Sequence, residues 1–353
     1  MEKIKILFIL PHLRPGGAEK VITFLINKIN KKKFEVQLLV IGSLKDNHYK
    51  LKNINVVYLN KNRLRCAFLN IFEYINKSDF KIVFSSIYHI NLYLGFLSFF
   101  FNKTKFITRE ANILSVRRNF SPKTLMPDLL KKIIYKNLDC IIFQSNDMQN
   151  DFLSKYRLNN KCKLINNPVT ISNKPKLSYS IHGDLKFLNI GSLEEKKGHF
   201  RLIEFFEKIE RKYKLSVYGQ GKLEKDLINH INKNNLNANI LLKGISKNLN
   251  SIFSHHNFYI QGSYVEGFPN ALLEALSYGL PSLVFKSPGG HNEIIIEGFN
   301  GYFIEEGVNE QIIFKKFINR KWDRKAIQED IFKRFNSKKI INQYESLFLN
   351  ITI

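Results

Sequence analysis

Glu266-Gly267-Phe268-Pro269-Asn270-Ala271-Leu272-Leu273-Glu274 is the stretch on which the reading of this chain turns. It follows an apolar run, Phe258-Tyr259-Ile260, and leads into Ala275-Leu276-Ser277-Tyr278-Gly279. The order is strand, glycine turn, helix, with one carboxylate before the turn and one inside the helix. Pro269 suits the first helical position, where its missing N–H costs nothing. The amides of Asn270, Ala271 and Leu272 then lie at the helix N-terminus, aimed at an anion such as a diphosphate. Glu274 falls more than a turn into the helix, at a depth a ribose could reach. Glu266 stands before the turn, beside a sugar. Two glutamates eight positions apart mean little alone, since many solvated helix faces carry that spacing. The whole string is far more specific, and it suits a nucleotide-sugar site.

This segment resembles the E-x7-E motif of the retaining family 4 glycosyltransferases, which have the GT-B fold. That fold is α/β: two doubly wound Rossmann-like domains facing a central cleft, with a C-terminal helix that crosses back to the first. The variant EGFPN-xLLEA is typical of bacterial enzymes that build surface polysaccharides such as O-antigen and capsule, or lipid-linked oligosaccharides. The resemblance implies that Glu274 holds the ribose, Glu266 the sugar, and Gly267, Phe268, Pro269, Asn270, Ala271 and Leu272 the rest of the donor.

Other segments extend it. Pro15-Gly16-Gly17-Ala18-Glu19 follows the first apolar run and opens the first helical pattern. Glycines there let backbone approach a ligand, though a simple tight turn explains them too. In the family GGAE stands in this place, which implies that Gly16 and Gly17 line the cleft. Gly191-Ser192-Leu193-Glu194-Glu195-Lys196-Lys197-Gly198 is similar to the family's G-R-L-x-x-x-K-G. Lys197 then takes the phosphate-lysine position and joins Glu266 as a catalytic residue. Gly191 and Ser192 border the donor. Ser192 replaces the usual arginine, so one of the family's two cations is missing, and Lys196 or another base is the candidate replacement. A cation is wanted there because breaking a sugar–phosphate bond builds charge on the diphosphate. Gly219, in Tyr218-Gly219-Gln220-Gly221, resembles the family's G-x-G beside the nucleotide, though a tight loop explains it equally well. Asn167-Pro168-Val169 resembles a structural element, and Pro288-Gly289-Gly290-His291 resembles a cleft wall. Thr108-Arg109-Glu110-Ala111-Asn112 is similar to an S-E-R-N variant, which makes Arg109 and Glu110 candidates for sugar or acceptor contact, against a local ion pair. His12, after the first apolar run, is a further candidate.

Length and composition agree. At 353 residues, 44% hydrophobic and 24% charged, the chain holds two cores. Apolar runs at 4–10, 36–41, 55–59, 81–85, 106–108 and 140–144 read as buried parallel strands. A second set falls at 185–190, 215–218, 240–243, 258–260 and 282–285, after an irregular linker at 172–183. The expected domains are 1–172 for the acceptor, 173–325 for the nucleotide sugar, and a final helical segment, 326–353, returning to the first. Cys66, Cys140 and Cys162 have no metal-like spacing and fit a reducing compartment. No D-x-D and no His/Asp/Glu ligand set occurs, so neither metal nor cofactor is expected beyond the nucleotide sugar itself, a UDP-sugar by resemblance. No apolar run reaches the roughly 20 residues of a spanning helix; residues 90–101 read as a buried helix, with partial membrane contact as the alternative.

The net charge is +25. Between Lys103 and Lys136, nine basic residues mix with apolar ones against only Glu110 and Asp128. Such a segment can lie on an anionic membrane surface or be a plain solvated face. The resulting expectation is a cytoplasmic enzyme held peripherally at the inner face of the cytoplasmic membrane. Its acceptor would be a glycan on polyprenyl diphosphate, and the sugar moved a hexose or N-acetylhexosamine. An epimerase or hydrolase of the same architecture is the rival within the fold. A nucleic-acid-binding protein would explain the charge, but neither a recognition helix nor a stripe of stacking aromatics is present, so nucleic acid is not expected as a partner.

Overall fold

The computed structural model describes residues 2–116, 126–170, 184–246 and 248–352, so the expected linker and the middle of the basic segment lie outside the described residues. The chain divides into two compact units, Met1–Thr170 with Ser337–Ile353, and Ile171–Asn336.

The first unit is built on β1 (Ile4–Leu10), β2 (Phe34–Val40), β3 (Asn55–Tyr58), β4 (Ile82–Ser85), β5 (Lys105–Arg109), β6 (Cys140–Phe143) and β7 (Cys162–Leu164). These form one sheet in the order β3-β2-β1-β4-β5-β6-β7, parallel at every pair. Both β4 and β6 are buried at every residue, as short apolar runs covered on two faces must be. The second unit holds β8 (Leu185–Ile190), β9 (Tyr213–Tyr218), β10 (Ile240–Leu242), β11 (Phe258–Gln261), β12 (Ser282–Phe285) and β13 (Gly301–Ile304). Its order is β10-β9-β8-β11-β12-β13, again parallel at every pair. Two strands, β7 and β13, were not anticipated. Each is an edge with one neighbour, and the short sequences CKL and GYFI give little apolar periodicity.

The first unit carries α1 (Gly17–Lys28), α2 (Leu64–Asn76), α3 (Tyr88–Leu97), α4 (Asp128–Asn137) and α5 (Asn146–Tyr156). Val21, Ile22, Leu25 and Ile26 form the buried stripe of α1 at the spacing of one helix face. The second unit carries α6 (His199–Glu207), α7 (Asn270–Ser277) and α8 (Arg324–Arg334), and α9 (Ser337–Thr352) ends the chain.

The terminal segment differs from expectation. Residues 326–353 do not travel together. Helix α8 packs in the second unit, where Arg324 donates to the Asn257 carbonyl (2.7 Å) and Gln328 to that of Ser277 (2.9 Å). Only α9 belongs to the first. Its stripe of Ile340, Ile341, Tyr344 and Phe348 completes that core, with Phe348 edge-on to Phe8, Phe34 and Phe84. Residues Phe335 and Asn336 separate the two helices. Helix α8 buries Ile327 and Ile331 beside these polar contacts in the second unit, whereas α9 buries its apolar stripe in the first.

Candidate active site

Each sheet reverses its winding between two strands, β1 and β4 in the first unit, β8 and β11 in the second. Ligands of doubly wound sheets bind outside the carboxyl ends of such strands. Gly191 follows β8, and Gln261 ends β11.

The turn after β8 and the loop after β11 are locked together. Gly198 adopts the left-handed φ of 61° that favours glycine, and a Cβ there would meet the Gly262 carbonyl oxygen at 1.9 Å. Tyr264 N–H donates to the Lys196 carbonyl at 2.9 Å. Arg201, from α6, donates to the Gly262 and Ser263 carbonyls. Its guanidinium lies between the rings of Tyr264 (4.1 Å) and Phe285 (4.6 Å). The consequence is a fixed meeting of two side chains. Lys197 runs its stem over Gly191, and its Nζ reaches Glu266 Oε1 at 2.5 Å. Ser263 Oγ (2.7 Å) and Gln261 Nε2 (2.9 Å) donate to the same oxygen. Burial alone would raise the Glu266 pKa. The Lys197 charge and its hydrogen bond outweigh that, with His291 and Ser263 adding to them, and hold the carboxyl below the usual range. This is a preorganised carboxylate with a cation attached.

Glu266 N–H donates to the Pro288 carbonyl (3.2 Å) and Gly290 N–H to that of Gly267 (3.1 Å), so the 288–290 loop walls the turn. A Cβ on Gly219 would lie 1.8 Å from the Gly191 carbonyl oxygen, which makes glycine necessary for the approach of the two loops. Helix α7 starts one residue later than expected, with Pro269 as its N-cap and its carbonyl accepting from Leu273 N–H at 3.1 Å. The amides of Asn270, Ala271 and Leu272 therefore form the first turn. Phe268 and Leu272 are buried, and Phe268 packs on Phe335 at 5.7 Å. Their side chains face the core, so only their backbones border the site. Glu274 lies on α7 and is 7% exposed.

Sequence reasoning missed Tyr259. Fully buried in β11, its phenol reaches toward the Ile190 carbonyl at 3.5 Å. Burial raises its pKa, and Glu266 and Glu274 raise it further, so the phenol touches the field of both glutamates and stays protonated. His199 is buried with neither ring nitrogen hydrogen-bonded, and burial with the Lys197 charge lowers its pKa to about 4. Lys196 sits by Glu194 at 3.2 Å, and Ser192 is half-buried.

In the first unit, Gly16 caps α1, and its N–H and carbonyl both meet the Tyr49 hydroxyl at 3.1 Å; Gly17 opens the helix. His12 Nδ1 lies 3.7 Å from Glu19 Oε1. Both line a cavity of about 460 Å³ with Arg63 and His89, at the carboxyl ends of β1 and β4. The candidacy of Arg109 and Glu110 needs correction. They are 2% and 1% exposed. Arg109 donates to Ser86 Oγ (2.7 Å) and to Asn167, and faces Tyr344 of α9. Glu110 Oε1 accepts from Asn91 (2.9 Å) and Tyr135 (3.1 Å). These groups tie the unit internally, each held by buried partners within it.

Residues 173–326 match the family model described as glycosyl transferases group 1. An uncharacterized glycosyltransferase of Methanocaldococcus jannaschii is 33% identical over 251 residues, which is 65% of this chain and 61% of that protein's length. The N-acetylgalactosamine-N,N'-diacetylbacillosaminyl-diphospho-undecaprenol 4-alpha-N-acetylgalactosaminyltransferase of Campylobacter jejuni is 24% identical, over 86% of both chains. Among solved structures, Anabaena HepE in complex with UDP superposes with a TM-score of 0.76 at 16% identity, covering 98% of this chain and 100% of that one. The two parallel sheets give the chain the GT-B fold, and residues 173–326 carry its likeness to glycosyl transferases group 1.

Proposed function

We propose that this enzyme moves a sugar from a nucleotide diphosphate, a UDP-sugar, with retention, to a glycan carried on polyprenyl diphosphate. The observation that carries the reading is the Lys197–Glu266 pair at the β8/β11 switch point, directly before the N-terminus of α7. In this reading Glu274 holds the ribose, and the first-turn amides of α7 and Lys197 hold the diphosphate. Glu266 meets the sugar. Lys197 is tied to Glu266 before the donor arrives, so the phosphates compete for it. Ser263 and Gln261 then keep Glu266 in place. As the sugar–phosphate bond breaks, charge builds on the diphosphate, where a fixed cation and amides stabilise it without reorganisation. In retention the acceptor hydroxyl attacks on the face the diphosphate leaves.

The bound UDP of HepE supports a UDP donor. The undecaprenyl-diphosphate-linked substrate in the name of the Campylobacter relative supports a lipid-linked acceptor and work at the inner face of the cytoplasmic membrane. Among the described residues no helix is long and apolar enough to cross a membrane.

The test has two stages. Thermal shifts with UDP, GDP, ADP and TDP are compared for wild type and Glu274→Ala. A saturating ligand at about 100 times its Kd adds roughly 2.7 kcal/mol. One nucleotide should stabilise wild type and not the variant. Sugar transfer to a short-chain prenyl-diphosphate glycan is then followed with the matching donor. Release of free sugar without transfer would replace the reading with a hydrolase, and equal shifts in both proteins would remove Glu274 from the site.

A further inference from the structure

Among the described residues, sixteen large apolar side chains are exposed, and seven of them fall on three neighbouring elements, too many for scatter. Leu69 belongs to α2. Phe96, Phe99 and Phe100 lie at the end of α3 and just beyond it. Leu129, Leu130 and Ile133 lie on α4. Their exposures run from 41% at Phe96 to 71% at Leu129. The elements form one surface. Phe68 and Phe72 of α2 pack against Phe96 (5.8 Å, tilted) and Phe100 (6.1 Å, edge-on). Helices α3 and α4 pack so closely that a Cβ on Gly95 would meet Ile134 at 2.5 Å. Asn137, ending α4, donates to Ser98, capping α3, at 2.7 Å.

The charge around this surface has one sign. Arg65, Lys103, Lys132 and Lys136 are exposed on the same elements and their flanks. The nearby carboxylates already face lysines: Glu73 meets Lys77, Asp139 meets Lys105, and Asp128 meets both Lys131 and Lys155. We propose that the face formed by α2, the end of α3 and α4 docks on an anionic lipid surface. Leu129, Ile133, Phe99 and their neighbours enter the headgroup–acyl boundary while the cations meet lipid phosphates. A second copy is the poorer occupant, because pairing two such faces would oppose cation to cation. The proposal deepens the lipid-linked acceptor reading and rests on it for its purpose, since such an acceptor presents its sugar at that surface.

Co-sedimentation with phosphatidylcholine vesicles containing about one-third phosphatidylglycerol tests the proposal, beside pure phosphatidylcholine vesicles. Wild type should bind the anionic vesicles and release at high salt. Lys132→Glu with Lys136→Glu should weaken binding at least about tenfold, as should Leu129→Ser with Ile133→Ser. All variants should melt as wild type does and bind UDP equally. No binding of wild type, or unchanged binding of both double variants, overturns the proposal. So does light scattering that shows a dimer dissolved by Leu129→Ser with Ile133→Ser, since a second copy would then own the face. Because UDP binding is read separately, vesicle binding without nucleotide binding would sink the transferase reading and leave the docking face standing.

Discussion

Glu19 and Glu266 stand at corresponding places, each beside the switch point of a doubly wound sheet, and their carboxyls are shifted in opposite directions. Burial raises both. At Glu19 it wins, against only the residue's own N–H and the charge of His12 at 3.7 Å. At Glu266 it loses, because Lys197 sits at 2.5 Å with Ser263 and Gln261 donating to the same oxygen. One topology has thus produced a carboxyl inclined to hold its proton and another held as an anion. What differs most is a lysine, placed just before a left-handed glycine, with Ser263 and His291 adding to it. The general lesson is that two acids on one architecture take their chemistry from what is placed against them.

Removing that lysine is the most severe way to break the contrast. In Lys197→Ala turnover should fall about a hundredfold or more, the loss typical when a preorganised charge partner of the transition state is deleted. The acid limb of the rate profile should also move. A depressed carboxyl contributes stability above its unfolded pKa that is lost as pH falls through the folded value. Without Lys197, burial should raise the Glu266 carboxyl as it raises that of Glu19, so the group takes up its proton at higher pH and no longer contributes that stability. A profile unchanged in shape would mean that Lys197 does not set the state of Glu266.

The first unit places its strongest charges inside. Arg109 joins β5, the 167 loop and α9, so its loss should unfold rather than inactivate. Arg109→Met leaves Asn167 and Ser86 without their buried donor, and about 3–5 kcal/mol of stability should go. Thermal melting measures it. His12→Ala is the companion variant. It should melt within about 0.5 kcal/mol of wild type, as surface substitutions do, and raise the acceptor KM if the 460 Å³ cavity receives the acceptor.

This division was only partly legible in the sequence. Continuous β-branched runs named eleven of the strands because a buried parallel strand leaves that trace. The edge strands β7 and β13 leave almost none. The Glu266 stretch placed its turn and helix to within a residue, since Pro and Gly act locally. The burial of Arg109 was not legible, because Ser86, Asn167 and Tyr344, which surround it, come from distant parts of the sequence. Nor did the sequence mark Arg201, whose role comes from two rings and two carbonyls that meet only in three dimensions.

His199 sharpens the comparison from the side of pH. Its pKa is lowered to about 4 by burial and by Lys197, so the folded protein keeps it neutral where an unfolded chain would charge it. Between the unfolded value near 6.5 and the folded value the unfolded state binds the extra proton. Stability should therefore fall as pH drops from about 7 to 4, by on the order of 3 kcal/mol. His199→Gln should flatten that slope in denaturant titrations at several pH values, and a slope equal to wild type would place the acid sensitivity elsewhere.

The smallest effect is expected at Lys196, the candidate replacement for the cation that Ser192 lacks. Its ammonium lies 3.2 Å from Glu194 Oε2 with the side chain 36% exposed, while Lys197 beside it is directed to Glu266. An exposed pair of this kind contributes about 0–1 kcal/mol, and a lysine already facing a carboxylate gives little more to a phosphate. Lys196→Ala should therefore change UDP affinity by less than about threefold by calorimetry, against a much larger loss in Lys197→Ala. A tenfold loss in Lys196→Ala would show that the ligand pulls Lys196 away from Glu194, and that the second unit meets the diphosphate with two cations. The contrast with the first unit would then rest on a pair of lysines, and Glu194→Gln, which frees one of them, should tighten UDP binding.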